Sequence, residues 1–113
     1  MRVLLVDDNP DLRHLLALDC TLAGIDVVAV GGYDEALVAL RRGGFDALVT
    51  DRFLDDGDGE VLAHWAPVPA VVISGSYTAR EVLEPGVVRL PKPFRPGDLV
   101  DVVLGLTAPA LSA

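Results

Sequence analysis

The chain has 113 residues, 51% of them apolar, and a formal net charge of −8. That length and composition describe one globular domain with a single core, and exclude a disordered chain. The acidic balance excludes a nucleic-acid surface built on basic residues. The single cysteine, Cys20, excludes an internal disulfide and fits a reducing compartment.

Val3 to Val6 reads as a buried first strand, ended by Asp7 and Asp8. This apolar run is too short for a signal peptide, and no stretch reaches the roughly 18 residues of a spanning helix, so the expected location is the cytosol, away from membranes. Asn9-Pro10 is a helix start, with a side-chain cap followed by proline at the first helical position. That helix runs to about Ala23, and Gly24 supplies its left-handed stop. Ile25 to Val30 is the second strand. Tyr33 to Arg42 is a helix, with Tyr33, Ala36, Leu37 and Leu40 on one stripe, closed by Gly43-Gly44. Ala47 to Thr50 is the third strand, and Asp51 follows it. Asp55 to Gly59 is a loop by composition. A short helix from about Glu60 to Ala66 stops at Pro67. Ala70 to Ile73 is the fourth strand, ending at Ser74. Thr78-Ala79-Arg80-Glu81 has capping-box spacing and predicts a stunted fourth helix, ended by Pro85-Gly86. Val87 to Leu90 is the fifth strand. Leu99, Val102, Val103 and Leu106 give the periodicity of a last amphipathic helix. Residues 1–106 form the domain, and 107–113 are a short frayed tail.

Strands alternating with helices in this way imply an α/β fold, a parallel sheet covered on both faces. Ligands of such sheets bind beyond the carboxyl ends of the strands. Asp7, Asp8, Asp51, Ser74 and Lys92 all fall at that edge by sequence position. Three crowded carboxylates call for a cation, and oxygen ligands of this kind suit Mg²⁺, or Mn²⁺, with no Cys/His cluster to offer zinc. Lys92, framed by Pro91 and Pro93, calls for an incoming anion, and the bond before Pro93 is one where cis is open. Asp51 is the candidate nucleophile, since carboxylates form aspartyl-phosphate intermediates. Ser74 offers a hydroxyl to a phosphoryl oxygen. Taken singly, each has a plainer role: Asp7-Asp8 as helix-capping carboxylates, Asp51 as a loop cap, Ser74 as a turn serine. Cys20 reads as core filler and Trp65 as a packing residue. His14 and His64 lie on helices away from the aspartate edge, and neither is placed to carry phosphate.

Strand-Asp7-Asp8, strand-Asp51, strand-Ser74 and Leu90-Pro91-Lys92-Pro93-Phe94 together resemble the receiver domain of two-component response regulators, over essentially the whole chain. Leu54 to Gly59 also looks like that family's loop after the phosphorylated aspartate. The resemblance implies a flavodoxin-like (βα)5 sheet of order 2-1-3-4-5, here with shortened third and fourth helices. It implies that Asp51 is the phosphoacceptor and that Asp7, Asp8, Asp51 and the Phe53 backbone carbonyl hold the metal. Ser74 and Lys92 would bind phosphate. The phosphoryl group would come from a sensor histidine kinase, a histidine phosphotransferase or a small phosphodonor. The domain would catalyse its own phosphorylation and dephosphorylation without being a turnover enzyme.

The family usually has an aromatic residue three positions before the lysine, where this chain has Arg89. A stand-alone subset lacking that aromatic carries Phe-Ala-Thr-Gly-x-Tyr after the fourth strand and resembles partners of HWE-type kinases. Val72 to Tyr77 looks like a diverged version, which makes Tyr77 and Arg89 the switch candidates. The expectation is a free-standing receiver, with one receiver cut from a hybrid kinase or regulator as the alternative, monomeric or weakly dimeric, that binds a downstream protein when phosphorylated or acts as a phosphate sink. Two other readings are a phosphorylation-independent pseudo-receiver and a small aspartate-nucleophile phosphatase. The intact acidic set and Lys92 count against the first. Phe53, standing where such a phosphatase needs a second aspartate, counts against the other.

Overall fold

A computed structural model describes residues 1–95 and 97–107. Six strands form the main sheet: β1 (Arg2–Val6), β2 (Asp26–Val30), β3 (Ala47–Asp51), β6 (Ala70–Ser74), β7 (Glu81–Glu84) and β8 (Val87–Pro91). Between β3 and β6 lie a two-stranded ribbon, β4 (Phe53–Leu54) and β5 (Gly57–Asp58), and the helix α3 (Gly59–Trp65). The other helices are α1 (Pro10–Leu22), α2 (Tyr33–Arg42) and α4 (Asp98–Thr107). The sheet order is β2-β1-β3-β6-β8-β7, and all pairs are parallel except β7 with β8. The five parallel strands therefore follow the expected order 2-1-3-4-5.

The apolar runs are buried on both faces, and their alternation assigns each residue to a layer. Val3, Leu5, Val49, Val71 and Ile73 pack with Leu16 and Cys20 of α1 and Leu99 and Val103 of α4. Leu4, Val6, Leu48 and Val72 pack with Ala36 and Leu40 of α2 and Leu62 and Ala63 of α3. Cys20 is the core filler its position implies, and burial pushes its thiol up to about 11, with Asp19 adding to the effect. Trp65 corrects the expectation of a packing residue: it is 73% exposed at the end of α3. The helix α4 takes in Thr107, whose hydroxyl donates back to the Val103 carbonyl, and residues 108–113 of the expected tail lie outside the described residues.

Local starts follow the chemistry read from the chain. The Asn9 side chain accepts from the N–H groups of Asp11 and Leu12, capping α1. The cap of α2 comes from elsewhere. Asp56, in the turn of the ribbon, accepts from the Tyr33 and Asp34 N–H groups at 2.8 and 3.1 Å. Those two bonds hold the Asp56 carboxyl below its ordinary range.

Two further expectations need correction. The segment read as a loop, Asp55 to Gly59, closes the ribbon instead, with Phe53 opposite Asp58 and Leu54 opposite Gly57. The predicted fourth helix is the strand β7. Pro85-Gly86 is a two-residue turn rather than a helix stop, and Gly86 has the φ of +83° that the second turn position requires. Glu81 does not close a capping box, because its carboxylate pairs across the strands with Arg89 at 2.7 Å. A β-branched partner strand, Val87-Val88, draws the segment into the sheet.

Candidate functional site

Strand register alone brings the predicted residues together. Val6 is level with Thr50, so Asp7 and Asp51 leave the sheet side by side. Asp51 is level with Ile73, and Ser74 with Pro91, so Ser74 and Lys92 complete the same edge. Oxygens of Asp7, Asp8 and Asp51 lie within 4.8 Å of one another. Lys92 Nζ donates to Asp51 Oδ1 at 2.8 Å. Asp7 and Ser74 are buried, while Asp8, Asp51 and Lys92 are half-buried. The Lys92–Pro93 bond is cis.

Each acidic group is held by its surroundings. Asp7 Oδ1 accepts from the Asn9 N–H at 2.9 Å, and Arg13 grips the Asp7 carbonyl at 2.8 Å. Asp8 Oδ2 accepts from the Asp55 N–H at 2.9 Å, which ties the ribbon turn to the site. The charge of Asp8 and a side-chain hydrogen bond to it push the Asp55 carboxyl up. Burial raises the Asp7 carboxyl above its ordinary value, and the charges of Asp51 and Asp8 add to that. The Asn9 N–H and Lys92 only partly offset it. The cluster therefore carries more negative charge than its protein partners balance. An all-oxygen donor set with surplus negative charge fits a hard divalent cation.

Gly59 shows how closely the neighbouring backbone approaches. A Cβ there would lie 2.0 Å from the Asp51 carbonyl oxygen. The Gly59 N–H also donates to the Arg52 carbonyl at 2.6 Å, so the start of α3 is fixed against the end of β3. Phe53 sits in β4 with its side chain exposed.

Among known proteins, no family model matches the chain. It is 33% identical over 111 residues to the response regulator protein PilR of Pseudomonas aeruginosa, covering 90% of this chain and 25% of that protein. It is 32% identical over 107 residues to the DNA-binding response regulator MtrA of Mycolicibacterium smegmatis, covering 88% and 47%. The chain thus spans between about a quarter and about half of these relatives' length. A response regulator receiver protein from Sinorhizobium medicae WSM419 superposes with a TM-score of 0.82 at 29% identity, covering 95% of this chain and 94% of that one. The chain belongs to the response regulator receiver domains.

In this receiver domain a second polar cluster adjoins the first. Tyr77 is buried, and its hydroxyl donates to Glu60 Oε2. Arg89 reaches both Glu60 oxygens, at 3.0 and 3.2 Å, and its guanidinium lies 5.1 Å from the centre of the Tyr77 ring. Burial would raise the Glu60 carboxyl, but hydrogen bonds from Arg89 and Tyr77 and the charges of Arg52 and Arg89 hold it below its ordinary range. Burial and Glu60 push the Tyr77 phenol up. The two switch candidates, Tyr77 and Arg89, are thus joined through one carboxylate. Sequence reading passed over Glu60, Arg52 and Ser76. Ser76 and Arg52 each sit within two positions of a predicted site residue, which was the available signal, whereas Glu60 had none. His14 is exposed on α1, and His64 pairs with Glu84 at 2.8 Å near the C-terminal end of α3.

Proposed function

We propose that this receiver domain accepts a phosphoryl group on Asp51 from a sensor histidine kinase or a histidine phosphotransferase. It then signals by binding a downstream partner, or drains phosphate from its kinase, in the cytosol. The observation that carries this reading is the 2.8 Å contact between Lys92 Nζ and Asp51 Oδ1 beside the carboxylates of Asp7 and Asp8. One carboxylate is shared between a cation's ligands and an anion's counter-charge, as phosphoryl transfer to an aspartate requires.

Asp7, Asp8, Asp51 and the Phe53 carbonyl would hold Mg²⁺ or Mn²⁺, which when bound neutralises charge on the transferring group. An Asp51 oxygen forms its bond to phosphorus as the donor's P–N bond breaks, the electron pair leaving on the imidazole nitrogen. Lys92 pairs with one phosphoryl oxygen and Ser74 donates a hydrogen bond to another. Tyr77 and Arg89 form the switch. Tyr77 stands in for the missing fifth-strand aromatic and, with Arg89, biases the loop after Ser74 and the edge strand β7 between two arrangements.

Incubation with Mg²⁺ and acetyl phosphate, read by intact mass, tests the reading. Wild type gains one phosphoryl group, and neither Asp51→Asn nor metal-free wild type gains any. Uptake by Asp51→Asn would sink the assignment. In the same samples, NMR shifts of the Tyr77 loop and β7 move in wild type. A Tyr77→Ala protein that is phosphorylated and shows the same β7 shifts refutes the switch.

A further inference from the structure

Arg52 follows the phosphoacceptor directly, and nothing in the transfer chemistry above uses it. Its Nη1 donates to Ser76 Oγ at 3.5 Å, at the long end of the hydrogen-bond range. Ser76 Oγ lies 2.8 Å from Ser74 Oγ, and the Ser76 N–H donates to Ser74 Oγ at 3.1 Å. On its other side, Arg52 Nε is 3.7 Å from Glu60 Oε2. That Nε is buried without a hydrogen-bond partner among the described residues. The guanidinium is therefore held by the charge of Glu60 and by two rings, 4.9 Å from the centre of Phe53 and 5.5 Å from that of Tyr77.

We infer that Arg52 is a positioning residue for phosphoryl transfer, acting through Ser76 to orient the hydroxyl of Ser74. The inference rests on the reading of Ser74 as the phosphoryl-binding hydroxyl. A guanidinium only donates, so Ser76 Oγ accepts from it. The proton of Ser76 is then available to Ser74. Ser74 Oγ, accepting from both the N–H and the O–H of Ser76, has its two lone pairs engaged. Its own proton is left for a phosphoryl oxygen. Every bond from Arg52 to the phosphoryl group then runs in one direction, and bonds aligned in this way polarise one another. Glu60 anchors the far end of the chain, and Tyr77 and Arg89 anchor Glu60.

The test compares initial rates of phosphorylation by acetyl phosphate with Mg²⁺ in Arg52→Met, Arg52→Lys, Ser76→Ala and Ser74→Ala proteins. Arg52→Met and Ser76→Ala slow the reaction on the order of tenfold, the scale of one lost hydrogen bond. Arg52→Lys, which keeps a donor-only cation, recovers most of the rate. Combining Arg52→Met with Ser76→Ala adds nothing further, and Arg52→Met has no effect in a Ser74→Ala background. A purely structural role for Arg52 would lower the rate in that background too. Ser76 lies on an exposed turn, so its variant keeps the inference testable if Arg52→Met fails to fold. Wild-type uptake with an unaffected Ser76→Ala or Arg52→Met protein overturns the relay alone. Failure of wild type to take up phosphate overturns the reading of the site and the relay with it.

Discussion

Glu60 accepts from Tyr77 and Arg89 and faces the charge of Arg52, so one carboxylate holds three groups in place. Its folded pKa lies below the ordinary value of 4.5. The stability it contributes is therefore fully present above that value and is lost as pH falls through its depressed folded pKa. Glu60→Gln should cost roughly 1–2 kcal/mol near neutral pH, the scale of charge-assisted hydrogen bonds at a partly shielded site. Denaturant titrations across the acid range check this, and the gap between wild-type and variant stabilities should begin to shrink near pH 4.5 and close below the folded pKa of Glu60. Equal slopes for both proteins would assign the acid loss to other carboxylates. At this scale the sequence was legible wherever a residue stood at a strand end. That Asp7, Asp51, Ser74 and Lys92 share one sheet edge was read that way. Arg52, Ser76 and Glu60 meet only after β6 and α3 are laid against β3, and no local pattern encodes that meeting.

The elements show where local signals were decisive and where they were outweighed. Asn9-Pro10 and Gly24 marked both ends of α1 because a cap and a left-handed stop are local properties. The segment before Pro85-Gly86 carried a capping-box spacing that suits a helix, while Pro85-Gly86 itself suits a hairpin turn as well as a helix stop. Pairing with Val87-Val88-Arg89 decided between them, and that pairing depends on which partner the turn delivers. The ribbon between β3 and α3 was equally hidden, since its composition says turn and only its register says strand. Gly59 is the most sensitive point of this connection. Gly59→Ala drives a methyl group into the Asp51 carbonyl, so α3 must move away from β3. A loss of about 3 kcal/mol is expected, the upper end of overpacking costs, together with weakened metal binding. Thermal melts with and without Mg²⁺ measure both effects. A variant with the wild-type melting temperature would show that α3 and β3 separate here at no cost.

At the scale of the molecule, the alternation of strands and helices gave the parallel sheet and the family resemblance alone gave its order, and the register then gathered the acidic residues without further instruction. That gathering leaves the metal-free fold with repelling charge around Asp7. Asp7→Asn should raise the melting temperature in metal-free buffer, where it removes a buried carboxylate. Mg²⁺ at ten times its dissociation constant should stabilise wild type by ~1.4 kcal/mol, a few degrees, and the variant by much less. An identical response of both proteins to Mg²⁺ would remove Asp7 from the ligand set. The helix that gave way to β7 has a consequence beyond signalling. A sheet that ends in an antiparallel strand shows bare main-chain groups to any extended neighbour. Glu81 and Glu84 flank that margin, one engaged by Arg89 and the other by His64. Acidic side chains along such a rim disfavour a second copy adding strand upon strand, so replacing both with neutral residues turns the rim into a seam along which molecules adhere.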